Sequence, residues 1–273
     1  MREYHLYRAK FIKSAQLQLL VSEQSASTLF LNAINDKPAL KLSSGNVWHI
    51  GNLKYIDNTN GSFAVGRTTK NTVEKFDEES GDFKDHIDDS APYTVVVFDC
   101  AIGLLGIAKK SKLAPDASAV AKRIKSLFEQ TETIVNSGVE VRIDPIPDPD
   151  DFIAKLRKAY LIKKFRATFT GPNPTDADEL FQKPLSVYAQ QIGADKGILE
   201  VHGHALNEEV AEAIAKSTAA TGNTASARVI YRKGSKPTPI SMKKEAVVLI
   251  VDSEASPENI LASMQAQYSR IRG

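Results

Sequence analysis

Apolar and polar positions alternate from Tyr4 to Lys13. His5, Tyr7, Ala9 and Phe11 fall on one side of an extended chain and Arg8 and Lys10 on the other, which predicts a first strand. The apolar run LQLLV reads as the start of a strand or helix, and Ser25 to Ser27 open a short helix through STLFLNAIN. VWHIGNLKYID, NTNG and SFAVGRTTK then form a hairpin, because Asn and Gly tolerate the positive backbone angles of its loop. From Glu74 to Ser90 eight carboxylates face two lysines and few apolar residues, which predicts an exposed, mobile loop. Pro92 to Lys110 is the most apolar stretch of this half. Broken at Gly103, it predicts two central strands of a mostly antiparallel sheet, with Asp99 beside an apolar row.

The period changes after Pro115 and Asp116. Val120, Ile124, Leu127, Phe128 and Val135 recur every three or four residues until Gly138, predicting one helix of about six turns. Strands and helices then alternate. Val139, Val141 and Ile143 make a short strand; Asp148 caps a helix that Pro149 opens, with Phe152, Ile153, Leu156 and Tyr160 as its buried stripe. In the next strand Leu161, Phe165, Ala167 and Phe169 share one face, and Lys164, Arg166, Thr168 and Thr170 the other. GPNP ends it. A helix from about Asp176 to Gln191, kinked at Pro184, leads to the strand GILEVHGH, and a helix capped by Asn207 leads to ASARVIYRK. SMKKEAVVLIVD reads as one strand, and Ser256 with Pro257 starts a final helix carrying Ile260, Leu261 and Met264.

The expected fold class is α/β in the broad sense (α+β). Residues 1–114 form an antiparallel β-rich domain, and residues 115–273 an alternating strand-helix layer sandwich, on a ferredoxin-like pattern in one form, the two packing as one unit in the simplest arrangement.

Composition narrows the chemistry. A hydrophobic fraction of 42% and a charged fraction of 25% are those of an ordinary globular chain, so disorder is not expected over most of its length. Cys100 is the single cysteine, which excludes an internal disulfide and any multi-cysteine metal site and fits a reducing, cytoplasmic setting. MREYHLYRAKFIK lacks the apolar core of a signal peptide, and no segment has the length of a membrane-spanning run, so no membrane partner is expected. The net charge of +2 is too small for bulk charge to drive nucleic-acid binding.

One local field stands out. Phe152 to Thr175 holds Lys155, Arg157, Lys158, Lys163, Lys164 and Arg166 and, up to that point, no acidic side chain. Along an extended strand Lys164, Arg166, Thr168 and Thr170 offer cations and hydroxyls at about 6.6 Å intervals, near the phosphate repeat of an extended single strand. With the opposite face open, Phe165 and Phe169 would instead be stacking platforms for bases. Arg228, Arg232 and Lys233 are candidate additions from another strand. The plainer reading makes the phenylalanines core and the cations solvated exterior.

Glu200, His202 and His204 share one side of an extended segment and could converge on a divalent metal, the basis of an alternative reading as a metal-dependent nuclease or hydrolase. A strand that simply ends at Gly203 with exposed histidines explains them equally. Asp99 invites comparison with metal-dependent nucleases, but the next strand, LLGIAKK, has no carboxylate two residues before Lys109 or Lys110, so a structural role is expected. The acidic run lacks the ligand register of an EF-hand. Cys100 has no base beside it, and the phosphate-cradling, dinucleotide, nucleophile-elbow and HExxH motifs are missing from the sequence. No catalytic residue and no cofactor is expected.

Two segments, PYTVVVFDCAIGLLGIAKKSKLAPD and AYLIKKFRATFTGPNP, resemble those of uncharacterised bacterial proteins encoded near mobile elements and antiviral (phage) defence systems, over residues 45–235. The resemblance carries no catalytic residue. It implies a cytoplasmic bacterial protein working with proteins encoded beside it. The combined expectation is a non-catalytic nucleic-acid-binding or sensing subunit of a defence complex, with DNA or RNA as ligand and a protein partner. A purely protein-binding accessory subunit, docking through the acidic run or the final helix, is the other alternative.

Overall fold

The structure, a computed structural model, describes residues 1–13, 24–170 and 179–273. The LQLLV segment, the GPNP terminator and the helix start at Asp176 lie outside them. The remainder is a mixed α+β architecture in which every strand pairing is antiparallel.

The larger sheet is organised on β1 (Arg2–Lys13). Along one edge β1 pairs with β7 (Leu104–Ala108); along the other it pairs first with β13 (Val248–Val251) and then with β8 (Val139–Pro145). Beyond β7 the order continues through β6 (Tyr93–Asp99), β4 (Asn60–Asp77), β3 (Val47–Tyr55) and β2 (Ala39–Lys41). This sheet therefore draws strands from both sides of Pro115. The expected tight connection at Gly103 is present: its φ is +66°, and an added Cβ would lie 2.4 Å from the Ala9 carbonyl, so only glycine fits.

Both faces of β1 are covered, which its alternation could not show. Tyr7, Ala9 and Phe11 enter a core with α1 (Ala26–Asn35), α2 (Ala117–Phe128) and α3 (Glu132–Ser137), where the Phe11 ring sits 5.4 Å from Phe30 and 6.2 Å from Phe128. Tyr4 and Leu6 enter the other core with α4 (Asp150–Arg157), α6 (Glu208–Ala220) and α7 (Pro257–Arg272). On the far side of these helices lies a smaller sheet in the order β10 (Lys196–His202), β9 (Leu161–Thr170), β11 (Ala225–Ile230) and β12 (Thr238–Ser241), with α5 (Gln182–Gln191) also against it. Its element order, with both helices before the closing β11–β12 hairpin, differs from the β-α-β-β-α-β order of a ferredoxin-like unit.

Arg8 and Lys10 point into the helix layer and are buried, where the strand pattern alone suggests an outer face. Arg8 donates to the Tyr268 hydroxyl at 2.6 Å. The Lys10 ammonium donates to Asp144 Oδ2 at 2.9 Å and reaches Thr170 Oγ1 at 3.3 Å, tying both sheets together. Burial pushes the Lys10 amine below the ordinary lysine range, and Asp144 pulls it back. Asp99 is structural, as expected: its carboxylate accepts from the Ala101 and Ile102 amides and, at 2.8 Å, from Gln265 of α7.

Several expectations need correction. The run from Glu74 to Ser90 is no loop: the end of β4 pairs with β5 (Asp82–Ser90) from Thr69↔Ser90 to Asp77↔Asp82. Its sequence, with eight carboxylates from Glu74 to Ser90, lacks the apolar alternation by which a half-buried strand is recognised. The long helix is two, because Thr131 caps α3 by accepting from the Ile134 amide, and Val135 is exposed. SMKKEAVVLIVD is split between sheets, with Thr238–Ser241 pairing β11 and Val248–Val251 pairing β1 on either side of exposed Lys243, Lys244 and Glu245. Tyr160 is exposed rather than part of the α4 stripe. The N-cap of α4 is Pro149 and not Asp148, whose carboxylate accepts from the Asp150 amide in the turn before the helix, and Pro184 falls in the first turn of α5, where a proline causes no kink. Among the described residues no helix is long and apolar enough to cross a membrane.

The seam yields a stability test. Asp144→Ala strands a buried ammonium and is expected to cost about 3 kcal/mol, the low end for a broken buried pair because the carboxylate is partly open to solvent. Urea unfolding should show the lower midpoint, and Lys10→Met combined with Asp144→Leu should recover most of it. A midpoint unchanged in Asp144→Ala would remove the seam from the account.

Candidate nucleic-acid interface

The six basic residues of the expected patch do not form one surface. In β9, Phe165, Ala167 and Phe169 are buried, and the Phe165 ring lies 6.4 Å from Phe152 of α4, so the helices cover that face. This overturns the stacking-platform reading: rings that form the core cannot receive bases. Lys155, Arg157 and Lys158, on or just after α4, are therefore behind the sheet. There Lys155 pairs with Asp151 at 2.7 Å, and Arg157 forks onto Glu212 of α6, its Nε at 2.9 Å from Oε2.

A bulge rearranges the start of β9. Lys164 pairs with Arg228 but Ile162 with Val229, leaving Lys163 as the extra residue and turning Ile162 inward. The expected inward position at Leu161 is correspondingly only half-buried. From Lys164 to Phe169 the burial alternates. Lys164, Arg166 and Thr168 stand on the face that no helix among the described residues covers, whereas Thr170, expected beside them, reaches the buried Lys10.

Cross-strand register then assembles the site. Lys164 lies between His202 of β10 and Arg228 of β11; Arg166 lies between Glu200 and Ser226, with Ser241 of β12 next in the row. Three cations and several hydroxyls thus occupy adjacent positions of one open sheet, with neighbours about 5 Å apart across strands. Arg228 joins Lys164 and Arg166 as expected, whereas Arg232 and Lys233 are exposed in the turn beyond β11. Among the described residues no ion pair engages Arg166 or Arg228.

Glu200 is the counter-charge of this face. Its carboxylate receives Lys164 Nζ at 2.7 Å and pairs with His202 Nε2 at 3.0 Å. Lys164 first, and His202 second, hold its carboxyl below the usual glutamate range, so it is anionic near neutral pH. Both oxygens are engaged, and His204 lies past the end of β10. Among the described residues no group of three or more His, Cys, Asp or Glu is placed to hold a metal ion, so the Glu200, His202, His204 constellation does not assemble. Cys100 is buried, and burial, with the neighbouring Asp99 adding to it, pushes its thiol well up, away from nucleophilic use.

What this face can do is bind anions: fixed cations and hydroxyl donors on rigid strands suit phosphate oxygens, and the ring that the register sets beside Lys164 is the His202 imidazole. Sequence reasoning found β9 and named Arg228 as an addition, but not the convergence of Ser226 and Ser241, because register between distant strands leaves no trace in local pattern.

A search of curated proteins finds no match. The family model described as a domain of unknown function, DUF4747, matches residues 11–262, from the end of β1 into the first turns of α7, and so strands of both sheets. The chain belongs to the DUF4747 family.

Proposed function

We propose that the protein is a non-catalytic nucleic-acid-binding protein that holds a sugar-phosphate backbone on the open face of the β10-β9-β11-β12 sheet. The observation that supports this reading best is the register that sets Lys164, Arg166 and Arg228 side by side on a face left open by the described residues while the phenylalanines of the same strand are core. Contacts of this kind position a ligand without reading its bases, so binding should be salt-dependent and only weakly sequence-selective. The resemblance of Pro92–Asp116 and Ala159–Pro174 to proteins encoded near antiviral defence systems extends the proposal to a cytoplasmic sensing subunit of a bacterial defence complex.

Fluorescence anisotropy against single-stranded DNA, single-stranded RNA and duplex DNA, each at several salt concentrations, is the first test. Lys164→Glu with Arg166→Glu should weaken binding at least about tenfold and lower the log–log salt slope by about 1 per cation removed. Lys155→Glu with Lys158→Glu, behind the sheet, should change affinity far less. Equal losses from both pairs would sink the assignment to the open face, and absence of binding at low salt would sink the proposal.

Glu200 gives an independent check. A phosphate beside Lys164 must tolerate or displace this carboxylate, so Glu200→Gln is expected to tighten binding several-fold and to leave the melting temperature nearly unchanged, as removal of an exposed ion pair does. Weaker binding in Glu200→Gln would mean that the carboxylate holds Lys164 in its binding pose instead of competing for it.

A further inference from the structure

Among the described residues the ribbon of β4 and β5 beyond Thr69 and Ser90 pairs with nothing but itself, and over nine residues it extends about 30 Å. At its tip Phe76 and Phe83 sit directly opposite each other, ring centroids 5.2 Å apart and edge to face. They are 54% and 79% exposed, so neither ring is seated on its own molecule. The next pair on the same face is Glu74 opposite Asp85, two like charges that no ion pair among the described residues neutralises and whose juxtaposition costs stability in isolation. From Glu74 to Asp85 six carboxylates accompany two lysines.

The tip is also held in shape. Asp77 Oδ1 accepts from the Glu79 and Ser80 amides, Asp77 pairs with Lys84, and the Gly81 amide closes the turn onto the Asp77 carbonyl at 2.8 Å. A pre-shaped, acidic, doubly aromatic tip asks for an apolar surface bearing cations. This chain carries one. On the open face of the smaller sheet Lys164, Arg166 and Arg228 lie beside Ile198, which is 48% exposed on the edge strand β10 and opposite Thr168.

We propose that the β4–β5 tip of one molecule docks on the open sheet face of a second copy of the chain, with Phe76 and Phe83 against Ile198 and the Glu74 and Asp85 carboxylates on the cations. Tip and face are different surfaces, so the contact is head-to-tail and propagates into chains or rings. A net charge of only +2, divided into an acidic tip and a basic face, opposes such stacking little. The inference rests on the reading of that face as an anion-binding surface, and it adds regulation: nucleic acid and the tip of the next molecule compete for the same cations.

Sedimentation velocity over a wide range of concentration and salt tests this with the intact chain. Wild-type protein should associate progressively with concentration and dissociate as salt rises. Phe76→Ser with Phe83→Ser, which alters only exposed rings, and Lys164→Glu with Arg166→Glu should each leave a monomer, with dissociation constants at least about tenfold weaker. Mixed together, these two variants should form a one-to-one complex and nothing larger, because one keeps its face and the other its tip. A short single-stranded oligonucleotide should break the wild-type assemblies. A monomeric wild type, variants that associate like the wild type, or a mixture that stays monomeric while the wild type associates would each overturn the proposal. Nucleic-acid binding by a monomeric wild type would leave the function standing and this inference fallen; association without nucleic-acid binding would do the reverse.

Discussion

A single strand, β1, imposes the constraint on which the rest of the structure depends. It pairs with three strands and is covered on both faces, so Tyr4 and Leu6 belong to one core and Tyr7, Ala9 and Phe11 to the other. One face is aromatic and aliphatic and needs only helices laid against it. The other carries Arg8 and Lys10, whose charges require partners before they can be buried. Tyr268 and Asp144 supply them, and Thr170 of the smaller sheet completes the coordination of the ammonium. The position of β9 relative to β1 is thus fixed by a hydrogen-bonding demand as well as by apolar packing.

That arrangement leaves the smaller sheet covered on one side only. α4, α5 and α6 take up the face bearing Phe165, Ala167 and Phe169, and nothing among the described residues covers the face bearing Lys164 and Arg166. A strand with alternating phenylalanines and cations has one low-energy way to meet a helix layer, with its rings inward. The basic face is therefore a consequence of how the core is satisfied. Its concentration of charge is notable because the chain as a whole is close to neutral, the balance being supplied largely by the acidic ribbon at the opposite extreme of its charge distribution.

Elements with a strong period or a chemical cap were legible in the sequence. The β3–β4 hairpin, the β6–β7 pair around Gly103, and the caps at Ser25, Asn207 and Ser256 fall where expected. Errors arose where local pattern underdetermines structure. An acidic ribbon without apolar alternation resembles a loop; Thr131 breaks what periodicity alone joins; and KKE inside SMKKEAVVLIVD marks a crossover between sheets that strand propensity cannot register. At the site, β9 and its two faces could be read directly. The bulge at Lys163 and the neighbour Ser226 could not, nor could the register that seats Arg228, already a candidate, beside Lys164, because all depend on pairing between segments some sixty residues apart.

The central claim, that the open sheet face and not the rear of α4 meets nucleic acid, is tested most directly by lysine-acetylation footprinting with mass spectrometry in the presence and absence of a saturating oligonucleotide. Lys164 and Lys155 serve as each other's control within one molecule. The account expects Lys164 to be protected, with Lys155 and Lys158 modified at unchanged rates. Protection of Lys155 and Lys158 with Lys164 still reactive would contradict it.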